Sequence, residues 1–119
     1  MSSRDDLEEF AARFRDDHAG APLGPIADRV ILENDRVRIW EMQLAPGQAS
    51  SLHRHELDYM LIILDGDRIA GVPGPGRTRS AREATVVPGQ VFYLTRGETE
   101  WAVNRGARPY REIIVELKD

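Results

Sequence analysis

The stretch PGQASSLHRHELDYMLIILDG, residues 46–66, decides the fold. After the turn signal Pro46-Gly47, Ser50 to His55 reads as a strand carrying two of the chain's three histidines, His53 and His55. Strand side chains alternate between faces and rise about 3.3 Å per residue, so the two imidazoles point the same way from Cα atoms roughly 6.6 Å apart. That spacing lets both converge on one metal ion. Further along, Tyr59 to Leu64 (YMLIIL) is apolar at every position, whereas a strand with one face in water should alternate. Both faces are expected to be buried, with the outer one covered by either an N-terminal helix or a second subunit. A homodimer is the expected assembly.

Outward from this stretch, the β pattern continues in both directions. Short β-type segments run over Arg29–Glu33, Val37–Leu44, Ser50–His55, Tyr59–Leu64, Arg68–Val72, Ala84–Val87, Val91–Leu94, Thr99–Asn104 and Arg111–Leu117. Turn signals separate them at Asn34-Asp35, Pro46-Gly47, Asp65-Gly66-Asp67, Pro88-Gly89, Arg96-Gly97 and Arg105-Gly106. Many short strands with frequent turns predict a sandwich or small barrel. Ahead of them, residues 3–18 have a helical period, with Ser3 as N-cap, Asp5 and Asp6 in the first turn, and Leu7, Phe10, Ala11 and Phe14 on one face. AGAPLGP, residues 19–25, cannot extend that helix and reads as a linker. The expected organisation is a helix and linker over 1–25 and a β-barrel domain over 26–119.

Composition narrows the function. A chain of 119 residues with 41% hydrophobic residues suits one domain with one core. With 16 Lys and Arg against 20 Asp and Glu, the net charge of −4 offers no pull toward nucleic acid or an anionic membrane. Cysteine is absent, so a metal would be held by nitrogen and oxygen ligands. MSSRDDLEEF has acidic residues where a signal peptide has a basic region and an apolar core, and a cytoplasmic location is expected. Gly74-Pro75-Gly76 lacks the strand-to-helix context of a phosphate loop.

Two glycine-rich motifs now stand in order. In the first, Gly47, five residues, His53-Arg54-His55, three residues and Tyr59 are followed after six more by Gly66. In the second, Gly89, five residues, Thr95-Arg96-Gly97, two residues and Glu100 are followed after three more by Asn104. Together they resemble the cupin superfamily, in its small single-domain RmlC-like form, over about residues 29–117. The resemblance implies an all-β fold, the cupin-type double-stranded β-helix or jelly-roll barrel, preceded here by a short N-terminal α-helix. Cupins usually hold a metal with three His and one Glu. In this chain Tyr59, or Met60 on a longer count, stands at the Glu position, Thr95 replaces a Pro, and Glu100 replaces the third His.

The carboxylate missing from the first motif reappears in the second, so the resemblance implies His53, His55 and Glu100 as a two-His-one-carboxylate set with open coordination positions. Fe, Mn, Ni and Zn all suit it. Glu98 shares the parity of Glu100 and is the alternative should the register shift by two. Tyr59 is expected to line the substrate pocket, with Trp101 near the substrate although Trp101 and Val103 take the face opposite Glu100. Other pocket walls are expected from Trp40, Met42 and Phe92. Asp58 turns inward only through a bulge. His18 suits the last turn of the helix as a complement to its dipole, and Arg77, Arg79 and Arg82 form a basic patch that could orient a carboxylate or be simply solvated.

The functional expectation is a metal-dependent enzyme on a small organic molecule, with dioxygenase-like chemistry first and lyase or isomerase chemistry also within the fold's range. Some small stand-alone cupins with a similar His-Arg-His followed by Asp-Tyr act in amino-acid breakdown, and the resemblance points in that direction. The alternative is a non-catalytic cupin that binds a small molecule with a degraded metal site.

Overall fold

Turn residues cut the chain into short strands that cannot satisfy their backbone groups alone, so they assemble edge to edge. In the computed structural model, which describes residues 3–77 and 79–119, helix α1 (Ser3–Asp17) precedes nine strands among the described residues. These are β1 (Arg29–Glu33), β2 (Val37–Leu44), β3 (His53–Arg54), β4 (Tyr59–Asp65), β5 (Arg68–Pro73), β6 (Arg82–Thr85), β7 (Val91–Leu94), β8 (Thr99–Asn104) and β9 (Tyr110–Leu117). The side chains of Ser3 and Asp5 lie outside the described residues, and with them the expected cap and part of the first-turn charge. Among the described residues no helix is long and apolar enough to cross a membrane.

The strands form two antiparallel sheets, ordered β1-β2-β9-β4-β7 and β3-β8-β5-β6. The architecture is the mostly-β jelly roll expected, with one short helix. Alternation decides which residues enclose the interior: on β4, Tyr59 and Ile63 are buried and Leu61 packs with them, as do Met42 and Leu44 from β2 and Tyr110 and Ile114 from β9.

Two expected strands differ in extent. The Ser50–His55 segment pairs as a strand only at His53–Arg54, because the residues before it reach β8 through isolated contacts, Ser50 N to Ala102 O at 2.8 Å and the Ala49–Val103 bridge. The strand expected at Ala84–Val87 forms two residues earlier, at Arg82–Thr85, since Val86 N has already turned to donate to Asp67 O in the β4–β5 turn.

Helix α1 does not cover the outer face of β4. Its apolar stripe seats instead on the four-stranded sheet, where Leu7 and Ala11 are buried with Leu52, Ala70, Val72, Ala81, Trp101 and Val103, and Phe10 and Phe14 pack alongside. Burying a leucine side chain such as Leu7 contributes ~2 kcal/mol. The helix face fits there because β8 turns Trp101 and Val103 outward, opposite Glu100 and Ala102.

Two motif residues are structural. Asn104 is fully buried, its Nδ2 donating to Leu44 O at 2.9 Å and Arg108 O at 2.8 Å while its Oδ1 accepts from Gly106 N at 2.9 Å. Gly66 has φ of 138°, and a Cβ there would come within 2.8 Å of the Tyr110 ring. A side chain at this turn would displace that ring from the interior.

Candidate metal and ligand site

The ladder between β3 and β8 builds the site. His53 pairs directly with Glu100, and residues opposite one another on antiparallel strands share a face. His55 lies just past the strand, tied by His55 N to Glu98 O at 2.9 Å and by Gly97 N to His55 O at 2.8 Å. His53, His55 and Glu100 thereby bring one potential ligand atom each to within 4.8 Å of one another.

The donor chemistry fits a divalent ion. His53 Nδ1 sits 2.8 Å from Ser51 O, and as a donor to that carbonyl it leaves Nε2 with its lone pair free. His55 has its pKa pushed down to about 3, chiefly by burial and further by His53 and Arg82, so at neutral pH it is an uncharged nitrogen donor. Its Nδ1 is buried without a hydrogen-bond partner among the described residues. Tyr59 stacks on the same ring, centroids 3.7 Å apart and planes 10° apart, and fixes its plane. Burial and the neighbouring Glu100 carboxylate push the Tyr59 phenol up, which keeps its proton on.

These groups border a cavity of about 370 Å³ between the sheets, walled mainly by apolar side chains including Met42, Leu61, Ile63, Phe92, Leu94 and Ile114. Met42 and Phe92 line it as expected. Trp40 does not; its Nε1 donates to Glu116 Oε1 at 2.6 Å. The expectation for Trp101 is corrected as well: it lies on the far face of β8, 2% exposed, with its ring edge-on to Phe14 at 5.2 Å, beneath α1 rather than beside any ligand. Parity already separated it from Glu100.

Other candidates find different partners. Glu98 forms an ion pair with Arg79 at 2.9 Å, and Asp58 accepts from the backbone and side chain of Arg96 at 3.0 and 3.2 Å. Arg96 accordingly holds the Asp58 carboxyl below its ordinary range. His18 closes the helix, its Nδ1 2.8 Å from Phe14 O and its ring stacked on Phe14.

Two features escaped the sequence reading: the partner of Arg82, which was expected only within a basic patch, and the residue Glu112. Arg82 donates to Glu100 Oε1 at 3.2 Å, and Gly71 below them leaves room, since a Cβ there would be 3.8 Å from the Glu100 carboxylate and 4.0 Å from Arg82. Helix α1 holds the residue before Arg82 at both backbone groups, with Arg4 donating to Ala81 O at 2.6 Å and Ala81 N donating to Glu8 Oε1 at 3.0 Å. The second is Glu112, buried in the cavity wall and hydrogen-bonded by the Tyr110 hydroxyl.

No family model matches the chain. Among solved structures it is similar to a cupin domain protein from Bordetella pertussis Tohama I, at TM-score 0.68 and 18% identity, covering 84% of this chain and 100% of that one. It has the cupin fold. A second similar cupin, RmlC-like with a double-stranded β-helix, comes from Methanocaldococcus jannaschii, at TM-score 0.62 and 14% identity over 82% of this chain and 88% of that one. The polyketide cyclase RemF from Streptomyces resistomycificus is also similar, at TM-score 0.57 and 23% identity, over 76% of this chain and 63% of the cyclase. Among curated proteins, this chain is 29% identical over 90 residues to the β-alanine degradation protein BauB of Pseudomonas aeruginosa, covering 75% of this chain and 90% of the relative.

Proposed function

We propose that this cupin holds one divalent metal ion on His53, His55 and Glu100 and acts on a small organic molecule bound in the adjoining cavity. The observation that carries the reading is the convergence of three ligand atoms within 4.8 Å at the border of that cavity. The ion would supply Lewis acidity or, if redox-active, a site for dioxygen. Around it the protein's own groups hold and orient: Ser51 O fixes the His53 tautomer, Tyr59 fixes the His55 plane, and the apolar walls exclude water from the bound molecule. Dioxygenase-like chemistry suits a two-His-one-carboxylate set best, and the likeness to a β-alanine degradation protein supports breakdown of a small metabolite. Metal analysis of protein purified without added metal or chelator tests this. About one ion per chain is expected, lost in His53→Ala and Glu100→Ala; an ion retained by both variants overturns the assignment.

A second reading has one observation in its favour. Arg82 occupies Glu100 at 3.2 Å, so the carboxylate is satisfied without an ion, as in a cupin that only binds a small molecule. Wild-type protein that takes up no divalent ion on titration would favour it.

We also propose a homodimer through the outer face of the five-stranded sheet. Parity turns Met60 and Ile62 of β4 outward beside Tyr93 and Val91 of β7 and Val115 and Ile113 of β9. Tyr93 and Val91 are 60% and 55% exposed, and Leu32 in the same sheet is 49% exposed. A contiguous apolar face of this kind suits a second copy of itself.

A further inference from the structure

Strand β9 carries acids at two inward positions of an otherwise apolar core. Its inner residues are Tyr110, Glu112, Ile114 and Glu116, by alternation. Glu116 is answered by Trp40 Nε1 at 2.6 Å and by Arg38 at 3.5 Å. Glu112 is answered by no cation among the described residues. Its ladder neighbours are Met42 and Ile63, it is 4% exposed, and among the described residues its one hydrogen bond runs from the Tyr110 hydroxyl to Oε1 and none reaches Oε2.

The other charged groups lining the cavity are matched: Arg82 with Glu100, Arg4 with Glu8, and Glu83 with Arg105. Glu112 is thus the unmatched carboxyl of the cavity wall among the described residues. An unpaired carboxylate among apolar side chains is costly, so without a partner the group keeps its proton. Burial, reinforced by Glu100 and opposed by the Tyr110 hydrogen bond, pushes its pKa up to about 7. If Tyr110 needed only an acceptor, a neutral amide would serve it without that cost.

Glu112 is not a member of the His53–His55–Glu100 cluster. It pairs with Ile63, four residues along β4 from Tyr59, so its backbone sits at a different level of the sheet, although Glu112, Tyr59 and Glu100 face the same cavity and Glu100 acts on Glu112 across it. We infer that Glu112 forms a cation-binding subsite within the cavity, one that takes the protonated amino group of a small aliphatic ligand. The ammonium supplies donors for Oε2 and the charge that an ionised Glu112 lacks, and Met42, Ile63 and Ile114 receive the alkyl part. The inference rests on the cavity being a small-molecule site, but not on metal binding.

Calorimetric titration of chelator-treated full-length protein with n-butylammonium, 1-butanol and butyrate tests it. Butylammonium should bind measurably and the other two at least about tenfold more weakly, a charge-assisted margin. Glu112→Gln keeps an acceptor for Tyr110 and should lose about tenfold for butylammonium alone. Equal binding of the amine and the alcohol to the wild type overturns the inference, whether or not the variant folds. So does butylammonium binding that is unchanged in a folded Glu112→Gln protein, or no butylammonium binding at all. Because metal has been removed, these outcomes are independent of the ion count that tests the metal site.

Discussion

His53 and Glu100 stand directly opposite one another across the β3–β8 ladder, so one strand pairing places a nitrogen and an oxygen donor side by side. Histidine at one position and carboxylate at the other need no loop to bring them together. What competes for the carboxylate is Arg82.

Replacing Arg82 with Leu is expected to tighten divalent metal binding by roughly threefold to tenfold, because a half-exposed guanidinium contributes only a modest, solvent-screened hold on Glu100. Competition against a chelating dye measures it. Weaker binding in the variant would mean that Arg82 positions Glu100 rather than contests it.

Trp101→Ala should cost ~3–5 kcal/mol in urea unfolding, since it removes a ring that is 2% exposed and packs edge-on against Phe14. Helix α1 should loosen with it, seen as early amide exchange over residues 3–17. Loss below ~1 kcal/mol would contradict the packing described.

Acid and base act on two buried groups with opposite signs. Glu112 has a folded pKa of about 7 against an ordinary 4.5, so the folded state keeps a proton that the unfolded chain releases; its contribution to stability is lost as pH rises from about 4.5 through 7. His55, at about 3 against 6.5, is uncharged when folded, and stability is lost as pH falls from about 6.5 toward 3. Glu112→Gln should therefore be more stable than the wild type at pH 8, by up to ~3 kcal/mol, and not at pH 4. Urea midpoints at the two pH values decide it, and an equal difference at both would refute the assignment.

Tyr93→Glu, on the edge strand β7 of the exposed apolar face, should convert a dimer to a monomer by light scattering at micromolar concentration. A wild-type protein that already runs as a monomer would remove the proposed interface.

Much of this was legible in the residues. The alternation and turn signals located the strands, and His53, His55 and Glu100 came together because the fold keeps the register of the two motifs. The assignment of Trp101 to the pocket went against its own parity. The helix stripe was legible, but not the sheet it covers, since Leu7, Phe10 and Phe14 would suit any apolar face and only the three-dimensional placement of β8 selects one. Arg82 was read as part of a loop patch, and its pairing with Glu100 was hidden because its strand begins two residues earlier than its apolar residues suggested. Glu112 did leave a signal: in YREIIVEL it is an acid at an inward position, and an acid inside a barrel calls for a partner.

The grip of Arg4 and Glu8 on both backbone groups of Ala81 makes the leading helix a brace for the cavity rim. Arg82 follows immediately, so a change at either helix residue can alter how firmly Glu100 is held. Tolerance to substitution at positions 4 and 8 is thereby set by the chemistry of the cavity rim.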